Sequence, residues 1–232
     1  MVRAMKEASV APEGEVGLKK MRGIVVHESF CYEKETQLTV RKTSLFFAGD
    51  GFSVYDCKGE VFFRVESYGP DVRDKDEVVL MDASGKCLLT VRRKRPSLHQ
   101  RWEGFLGERS EGDKPIFSVR RSSIIGRSSV TVDVFGNPGE EYLIDGSFPQ
   151  RCCTIYDTSF NSSKEAVAEI RRKVDASTNM VLGRDVFSLC LKPGFDAAFA
   201  MGLVLVLDQI NSDHVVVDDG AEVDQPAEDA SP

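Results

Sequence analysis

Short runs of apolar residues, separated by polar turn residues, fill the chain from Leu38 onward. In residues 130–134 the two kinds of side chain alternate. Val130, Val132 and Val134 fall on one face, and Thr131 and Asp133 fall on the other. A two-residue period is typical of a strand with one buried face. Eleven short runs separated by turns are predicted to be strands: 38–40, 52–55, 61–65, 78–82, 86–91, 101–106, 116–119, 130–134, 142–145, 152–157 and 186–191.

Several of the turns between these runs contain an aspartate followed by a glycine. Residues 54–59 and 80–85 are similar: each strand ends on an aspartate, Asp56 or Asp82, and the turn contains Gly59 or Gly85. In a hairpin, the aspartate accepts hydrogen bonds from nearby N–H groups and the glycine supplies a positive φ. The alternative is a metal-binding loop. Calcium needs several oxygen ligands within one loop, and these aspartates are single, so hairpins are favoured.

Residues 162–174 follow a different period. Ser162 and Glu165 have the spacing of a capping box, and Val167, Ile170 and Val174 follow at helical spacing. Basic residues at 171–173 would complement the C-terminal end of a helix dipole. The pattern predicts a surface helix.

The longest apolar run in the chain covers residues 197–207 and is bounded by Asp196 and Asp208. A membrane-spanning helix needs about 20 apolar residues, whereas a run of about 10 to 14 more often forms a buried helix. A helix that is apolar on every face must be surrounded on every face. We therefore predict a helix over 195–210 inside a closed sheet, which makes the fold mainly β: an antiparallel β-barrel around a hydrophobic C-terminal helix.

Charge is distributed unevenly along the chain. The formal net charge is −7, but residues 213–232 contain seven acidic residues and no Lys or Arg, so residues 1–212 are formally neutral. The tail is acidic and without periodicity, so it buries too little apolar surface to offset its chain entropy. We predict a flexible N-terminal arm at 1–20, a barrel domain at 21–212 and a disordered acidic tail at 213–232.

Both ends should therefore be removable. A truncated chain of residues 20–212 is expected to fold with the same cooperative thermal transition as the full chain, because the removed residues are predicted to lie outside the core. Circular dichroism melting curves of the two chains compare them directly. A truncated chain that fails to fold would contradict this domain assignment.

The cysteines and histidines indicate neither disulfides nor a metal site. Six Cys occur without a C-x-x-C pair, and the three His have no ligand spacing to them. Adjacent Cys152 and Cys153 alternate faces on a strand, so at most one points inward. Cys152 and Cys190 are interpreted as small core residues. The first 22 residues lack the apolar segment of a signal peptide, which predicts a reducing, cytoplasmic compartment with free thiols.

The sequence contains no recognisable catalytic motif. It has no Gly-rich phosphate loop, nucleophile elbow or His-Glu-x-x-His motif. His99 is predicted to lie in a loop, without a nucleophile and acid nearby in sequence. We expect a protein that is not an enzyme and needs no cofactor. Trp102, the only tryptophan, is expected to pack in the core or at the barrel rim, with a membrane contact as the alternative.

An ordered set of segments resembles the LURP-one-related proteins of plants. The set comprises residues 38–65, Asp-Ala-Ser-Gly-Lys at 82–86 leading into 88–94, Ser-Leu-His-Gln-Arg-Trp-Glu-Gly at 97–104, residues 166–172, Val-Leu-Gly-Arg-Asp-Val-Phe at 181–187 and the apolar terminal helix. Together they cover roughly 20–211. The resemblance implies a barrel of about twelve strands around the helix, shared with tubby and phospholipid-scramblase proteins, and a link to plant defence. Tubby-type domains bind phosphoinositides, and scramblases are lipid-associated, but fold kinship alone does not transfer either function.

The densest positive charge lies at Arg92, Arg93, Lys94 and Arg95, with Arg101 nearby and no acidic residue between 91 and 102. On a strand, Arg92 and Lys94 would share one face and Arg93 and Arg95 the other, and Pro96 would end the strand at a barrel rim. A second cluster, Arg120, Arg121 and Arg127, is spaced by serines at 122, 123, 128 and 129. Guanidinium and hydroxyl groups suit phosphate oxygens. The five bases of the first cluster, together with Arg120 and Arg121, are predicted to bind anionic lipid headgroups.

Other interpretations of the same charges stay open. A solvated rim that keeps the protein soluble explains them without a ligand. Nuclear import or nucleic-acid contact also fits basic clusters, but aromatic stacking residues are not interleaved and residues 1–212 are neutral, so nucleic acid is ranked lower.

Two functional classes follow from the sequence. The first is a non-enzymatic module that binds phosphoinositides at a membrane surface and acts in plant defence signalling, with peripheral attachment at the plasma membrane or entry into the nucleus. In this class the acidic tail would compete with lipid for the basic rim. The second is a protein-interaction scaffold in defence signalling that uses the tail or the N-terminal arm and binds no lipid. Flotation with liposomes that contain or lack phosphoinositides discriminates between the two.

Overall fold

Twelve strands form one antiparallel sheet. The computed structural model describes residues 23–44, 50–66, 76–96, 101–122, 129–136, 139–159 and 164–212. Within these ranges the strands are β1 (Thr36–Ser44), β2 (Asp50–Tyr55), β3 (Val61–Glu66), β4 (Glu77–Asp82), β5 (Cys87–Arg93), β6 (Trp102–Leu106), β7 (Phe117–Ser122), β8 (Ser129–Val134), β9 (Glu141–Ser147), β10 (Cys152–Asp157), β11 (Glu165–Arg172) and β12 (Val186–Leu191), preceded by a short 3-10 helix (Glu28–Phe30) and followed by helix α1 (Ala197–Ser212).

The sheet closes on itself. Each strand pairs antiparallel with the next along the chain, and β12 pairs with β1, where Leu189 lies opposite Leu38. Burial alternates along β8 and follows the pleat, with Val130, Val132 and Val134 inside. Each of the eleven predicted runs overlaps one strand, and the predicted closed antiparallel barrel is confirmed.

Helix α1 lies in the barrel interior. It spans Ala197–Ser212, and thirteen of its sixteen residues are buried, including every residue from Ala197 to Asp208. Burial on all faces is what the uninterrupted apolar run requires. The predicted buried helix is confirmed, beginning and ending two residues later than expected. In the described ranges, no helix has the length and apolarity needed to cross a bilayer.

The predicted surface helix at 162–174 is wrong over its described part, because Glu165–Arg172 forms β11. The strand lies between β10 and β12, so Ala168 and Ile170 face the core and pair with residues on both neighbours. Pairing along two strand edges and burial of one face outweigh the modest helix propensity of Ala, Glu and Arg.

The N-terminal segment at 23–31 is attached to the start of α1 by one buried carboxylate. Asp196 Oδ2 accepts hydrogen bonds from the backbone N–H groups of Val25, Val26 and His27, at 3.2, 2.7 and 3.0 Å. Its Oδ1 caps the helix by accepting from Ala198 and Phe199. The predicted arm at 1–20 and the tail at 213–232 lie outside the described residues.

The turns that follow Asp56 and Asp82 have the predicted hairpin structure. Asp56 Oδ1 accepts from the N–H groups of Lys58 and Glu60, and Asp82 Oδ1 accepts in the same way from Ser84 and Lys86. The glycines at 59 and 85 have φ values of 82° and 88°. Each carboxylate is therefore occupied by its own turn.

The cysteine predictions are partly corrected. Cys153 is buried and Cys152 is exposed, so one of the pair points inward as expected. The assignment of Cys152 to the core is wrong, because the register with β11 places Cys153 opposite the inward Ile170. Cys190 is only half-buried, since it alternates with the inward residues of β12.

The direction of the strands defines two ends of the barrel. All neighbours are antiparallel, so the odd-numbered strands run the same way. Helix α1 runs in that direction too, because Asp208 near its end binds Lys42 near the end of β1 at 3.0 Å. We call the end at which α1 and the odd-numbered strands finish the distal end, and the opposite end the proximal end. The last residues of β5, β7 and β11 all lie at the distal end.

Candidate functional site

Four consecutive basic residues line one cleft near the distal end. The cleft has a volume of about 330 Å³ and lies beside strands β4, β5 and β6. Its described lining consists of Arg92, Arg93, Lys94, Arg95, Asp76, Glu103, Phe105 and Arg109. The structure therefore brings together four of the seven residues that the sequence analysis selected.

Strand pairing explains why Arg101 joins this group. The N–H of Lys94 donates to the carbonyl of Arg101 at 2.8 Å, which continues the β5–β6 pairing beyond Arg93 and Trp102. Arg101 Nε donates to Ser118 Oγ at 2.7 Å and lies 4.0 Å from Glu103. Arg101 is thereby held at the edge of the cleft.

Neighbouring strands also bring carboxylates to these bases. Arg95 contacts Asp76 at 2.8 Å, and Lys94 contacts Glu103 at 2.8 Å. Glu77, opposite Arg92 on β4, lies 3.9 Å from it. The absence of acids from 91 to 102 therefore does not describe the charge of the folded site. Solvent-exposed ion pairs are worth only about 0–1 kcal/mol, so another anion can replace these carboxylates as the partner of the bases.

The cleft keeps an excess of positive charge. Five basic side chains and two acidic ones line it, and a third carboxylate, Glu77, lies 3.9 Å from both Arg92 and Arg109. The fifth base, Arg109, was missed by the sequence analysis because it stands apart from the basic run, and only the fold of the β6–β7 connection brings it there. Its guanidinium lies 5.3 Å from the Phe105 ring centre, and its Nε is buried without a hydrogen-bond partner among the described residues.

Arg120 and Arg121 of the second predicted cluster do not line this cleft, and Arg127 lies outside the described residues. Arg120 Nε donates to Thr131 Oγ1 at 3.0 Å, and its Nη2 lies 3.4 Å from Asp133 on β8. Arg121 instead lines a much smaller pocket at the distal mouth of the barrel, beside Ile210 and Asn211. Adjacent residues on a strand point to opposite faces, which separates these two side chains.

Trp102 packs in the core, as expected, with only 1% of its surface accessible. The predicted loop residue His99 lies outside the described residues. In the ranges that the structure covers, no three His, Cys, Asp or Glu side chains converge as they would around a metal ion.

The arrangement is suited to holding an anion. Guanidinium groups offer paired N–H donors to phosphate or carboxylate oxygens, and a lysine adds a compact positive charge. Phe105 supplies an apolar wall below Arg109. A phosphorylated headgroup can therefore meet several charged donors and one apolar surface in the same cleft.

Comparisons with known proteins identify close relatives. A model of the LURP-one-related family matches residues 36–208. LURP-one-related protein 12 of Arabidopsis thaliana is 66% identical over 211 residues, covering 90% of this chain and 92% of the relative. LURP-one-related protein 5 of the same plant is 65% identical, covering 89% and 98%. An X-ray structure of an Arabidopsis thaliana protein aligns with a TM-score of 0.58 at 24% identity, covering 82% of this chain and 99% of that one.

Proposed function

Because this chain belongs to the LURP-one-related family, we propose that it is a non-enzymatic module that binds phosphoinositide headgroups at a membrane surface. The names of its relatives describe no enzymatic activity. The observation that carries this proposal is the distal cleft, which five basic side chains line together with Asp76 and Glu103, while Glu77 lies 3.9 Å from both Arg92 and Arg109. The Nε of Arg109 is buried 3.9 Å from Glu77 and has no hydrogen-bond partner among the described residues, so we propose that a ligand oxygen accepts from it.

The charge balance predicts weak, reversible attachment. A Lys or Arg close to an anionic membrane is worth about 1 kcal/mol, and the carboxylates of Asp76, Glu77 and Glu103 offset part of the total. Exposed charges are screened beyond about 10 Å at 0.1 M salt, so binding should weaken as salt rises. Such a module suits a signal that releases the protein from the cytoplasmic face of the plasma membrane. A role in plant defence signalling, which the family resemblance implies, is part of the proposal.

The acidic tail is proposed to compete for the same surface. Helix α1 ends at Ser212 at the distal end, and the seven acidic residues of 213–232 follow directly. An attached acidic segment has a high effective concentration at a nearby basic site. Deletion of 213–232 should therefore raise affinity for anionic vesicles.

The test compares vesicle binding of the wild type with that of an Arg92→Ala, Lys94→Ala, Arg95→Ala triple variant. We expect the variant to lose about tenfold to a hundredfold in affinity for phosphatidylcholine vesicles that contain a phosphoinositide, since three bases are removed. Flotation at low and raised salt measures it. Soluble inositol trisphosphate, added as a competitor, shows whether the headgroup alone is recognised.

The matched control is a triple variant that removes three exposed bases from the proximal end, Lys58→Ala, Lys86→Ala and Lys192→Ala. It changes the net charge equally and should bind like the wild type. Melting temperatures verify that both variants are folded. Equal binding by the wild type and the cleft variant, or no binding by any protein at low salt, would exclude lipid binding through the cleft and favour the protein-interaction scaffold.

A further inference from the structure

The β11–β12 connection forms a small ribbon, which we define as residues 173–182. Leu182 N–H donates to the carbonyl of Lys173 at 2.8 Å, and Asp175 N–H donates to the carbonyl of Met180 at 2.9 Å. Val174 and Val181 form the antiparallel bridge between these bonds. The pairing gives the ribbon a defined shape beyond the barrel strands.

The ribbon exposes apolar side chains on both faces. Val174, Val181 and Met180 are 46%, 52% and 67% accessible. Val174 and Val181 share a face because they are bridged, and Met180 alternates to the other. Isolated exposed apolar residues are ordinary on protein surfaces, whereas clusters mark interaction sites. Three of the six large exposed hydrophobic residues among those described lie in this one ribbon.

Basic residues surround the base of the ribbon. Arg171 and Arg172 precede it and Arg184 follows it, all exposed; Arg171 is paired with Glu169, and the exposed Asp185 follows Arg184. Arg172 Nη2 donates to the carbonyl of Leu182 at 3.0 Å, and Lys173 Nζ donates to Thr39 Oγ1 at 2.7 Å. These bonds hold the start and the end of the ribbon against the barrel, with the charged groups close to the exposed Val174 and Val181.

A buried arginine fixes the chain just after the ribbon. The guanidinium of Arg151 lies between the rings of Phe148 and Phe187, at 4.2 and 4.4 Å, and its Nε donates to the carbonyl of Arg184 at 2.9 Å. The ribbon is thus attached to a rigid site, which lowers the entropy lost when it binds a surface.

We propose that this ribbon inserts its apolar side chains into the interfacial layer of an anionic bilayer while the surrounding bases contact the headgroups. The inference rests on the proposed function and assigns it a second contact. Both β5 and β11 end at the distal end, so the ribbon and the basic cleft can meet the same membrane plane. Exposed bases beside exposed apolar residues match the charge and the apolar depth of such an interface.

The acidic residue of the ribbon does not oppose this placement strongly. The carboxylate of Asp175 accepts hydrogen bonds from the N–H and hydroxyl groups of Ser177 and Thr178, and these bonds lower its pKa to about 2. The ribbon itself therefore solvates this charge, which reduces its need for water.

The test is a Val174→Ser, Met180→Ser, Val181→Ser variant, measured on the same phosphoinositide vesicles. We expect affinity to fall about tenfold or more, because three apolar groups no longer leave water. The dependence of binding on salt should match that of the wild type, since no charge is removed. The control is Val61→Ser, Leu106→Ser, Phe135→Ser, which changes three exposed apolar residues at the proximal end and should bind normally.

A second readout reports insertion directly. Tryptophan emission of Met180→Trp should shift to the blue on adding vesicles, and that of Phe135→Trp should not. Normal binding by the ribbon variant, with weakened binding by the cleft variant, would overturn the proposed membrane contact of the ribbon and leave that of the cleft. Weakened binding by the ribbon variant, with normal binding by the cleft variant, would overturn the proposed lipid binding of the cleft and leave the membrane contact of the ribbon. No binding by the wild type, or no shift for Met180→Trp on vesicles that bind the protein, would overturn insertion.

Discussion

Leu203→Asp is expected to prevent the chain from folding. Leu203 lies in the middle of α1 with no accessible surface, enclosed by a barrel whose inward side chains are apolar. An aspartate there would place an unpaired charge in the core, or remain protonated with an unsatisfied hydroxyl, at a cost of several kcal/mol. The loss of leucine packing adds about 2–5 kcal/mol. The sum is comparable with the total stability of a typical protein, about 5–15 kcal/mol.

The control for this prediction makes the same substitution on the surface. Leu106 is 58% accessible, so Leu106→Asp should change stability by about 0.5 kcal/mol or less. Circular dichroism, thermal melting and gel filtration of the two variants give the comparison. A Leu203→Asp protein that is monomeric, folded and melts close to the wild type would contradict the placement of α1 inside the barrel.

Asp196→Ala is expected to lower the free energy of unfolding by about 3–5 kcal/mol. Five backbone N–H groups donate to this carboxylate, three from the 23–31 segment and two from the first turn of α1. Loss of a helix cap costs about 0.5–2 kcal/mol, and each buried donor left unsatisfied costs about 1–3 kcal/mol, reduced wherever water reaches it. Burial raises the pKa of Asp196, and the backbone hydrogen bonds oppose that shift.

Two further variants separate the contributions. Asp196→Asn keeps one acceptor oxygen and should give an intermediate loss. Asp56→Ala removes a carboxylate that accepts from two N–H groups in a solvent-accessible turn, and should cost about 1 kcal/mol. For a chain of this size, 1 kcal/mol shifts the melting temperature by about 2–4 °C. Equal shifts in melting temperature for Asp196→Ala and Asp56→Ala would show that the buried contact of Asp196 with the N-terminal segment does not add to the stability of the fold.

The basic cleft and the ribbon together suggest how the protein would lie on a membrane. Both are at the distal end, where α1 ends and the acidic tail begins. In the proposed orientation the proximal end, with the turns that follow Asp56 and Asp82 and the 23–31 segment, faces away from the lipid. The control variants at the proximal end therefore test the orientation as well as the two contacts.

Local pattern alone determined a large part of the fold. Short apolar runs between turn residues located eleven strands, and in residues 130–134 the two-residue period also indicated which side chains face the core, because half-burial of a strand repeats every two residues. The apolar run at 197–207 required enclosure on every side, so it indicated both the central helix and the closed sheet around it. The Asp-Gly hairpins were also predictable, since their hydrogen bonds stay within a few residues.

Only the tertiary structure decided the features that depend on neighbours distant in sequence. Residues 165–172 became a strand because β10 and β12 present edges on both sides, which overrides local helix propensity. The charge of the site changed for the same reason: Asp76, Glu77 and Glu103 reach the basic run through strand pairing, and Arg109 enters the cleft through a loop. Strand register joins residues that the sequence separates, so the sequence located the positive charge, and only the fold determined how much of it is neutralised and which side chains share a surface.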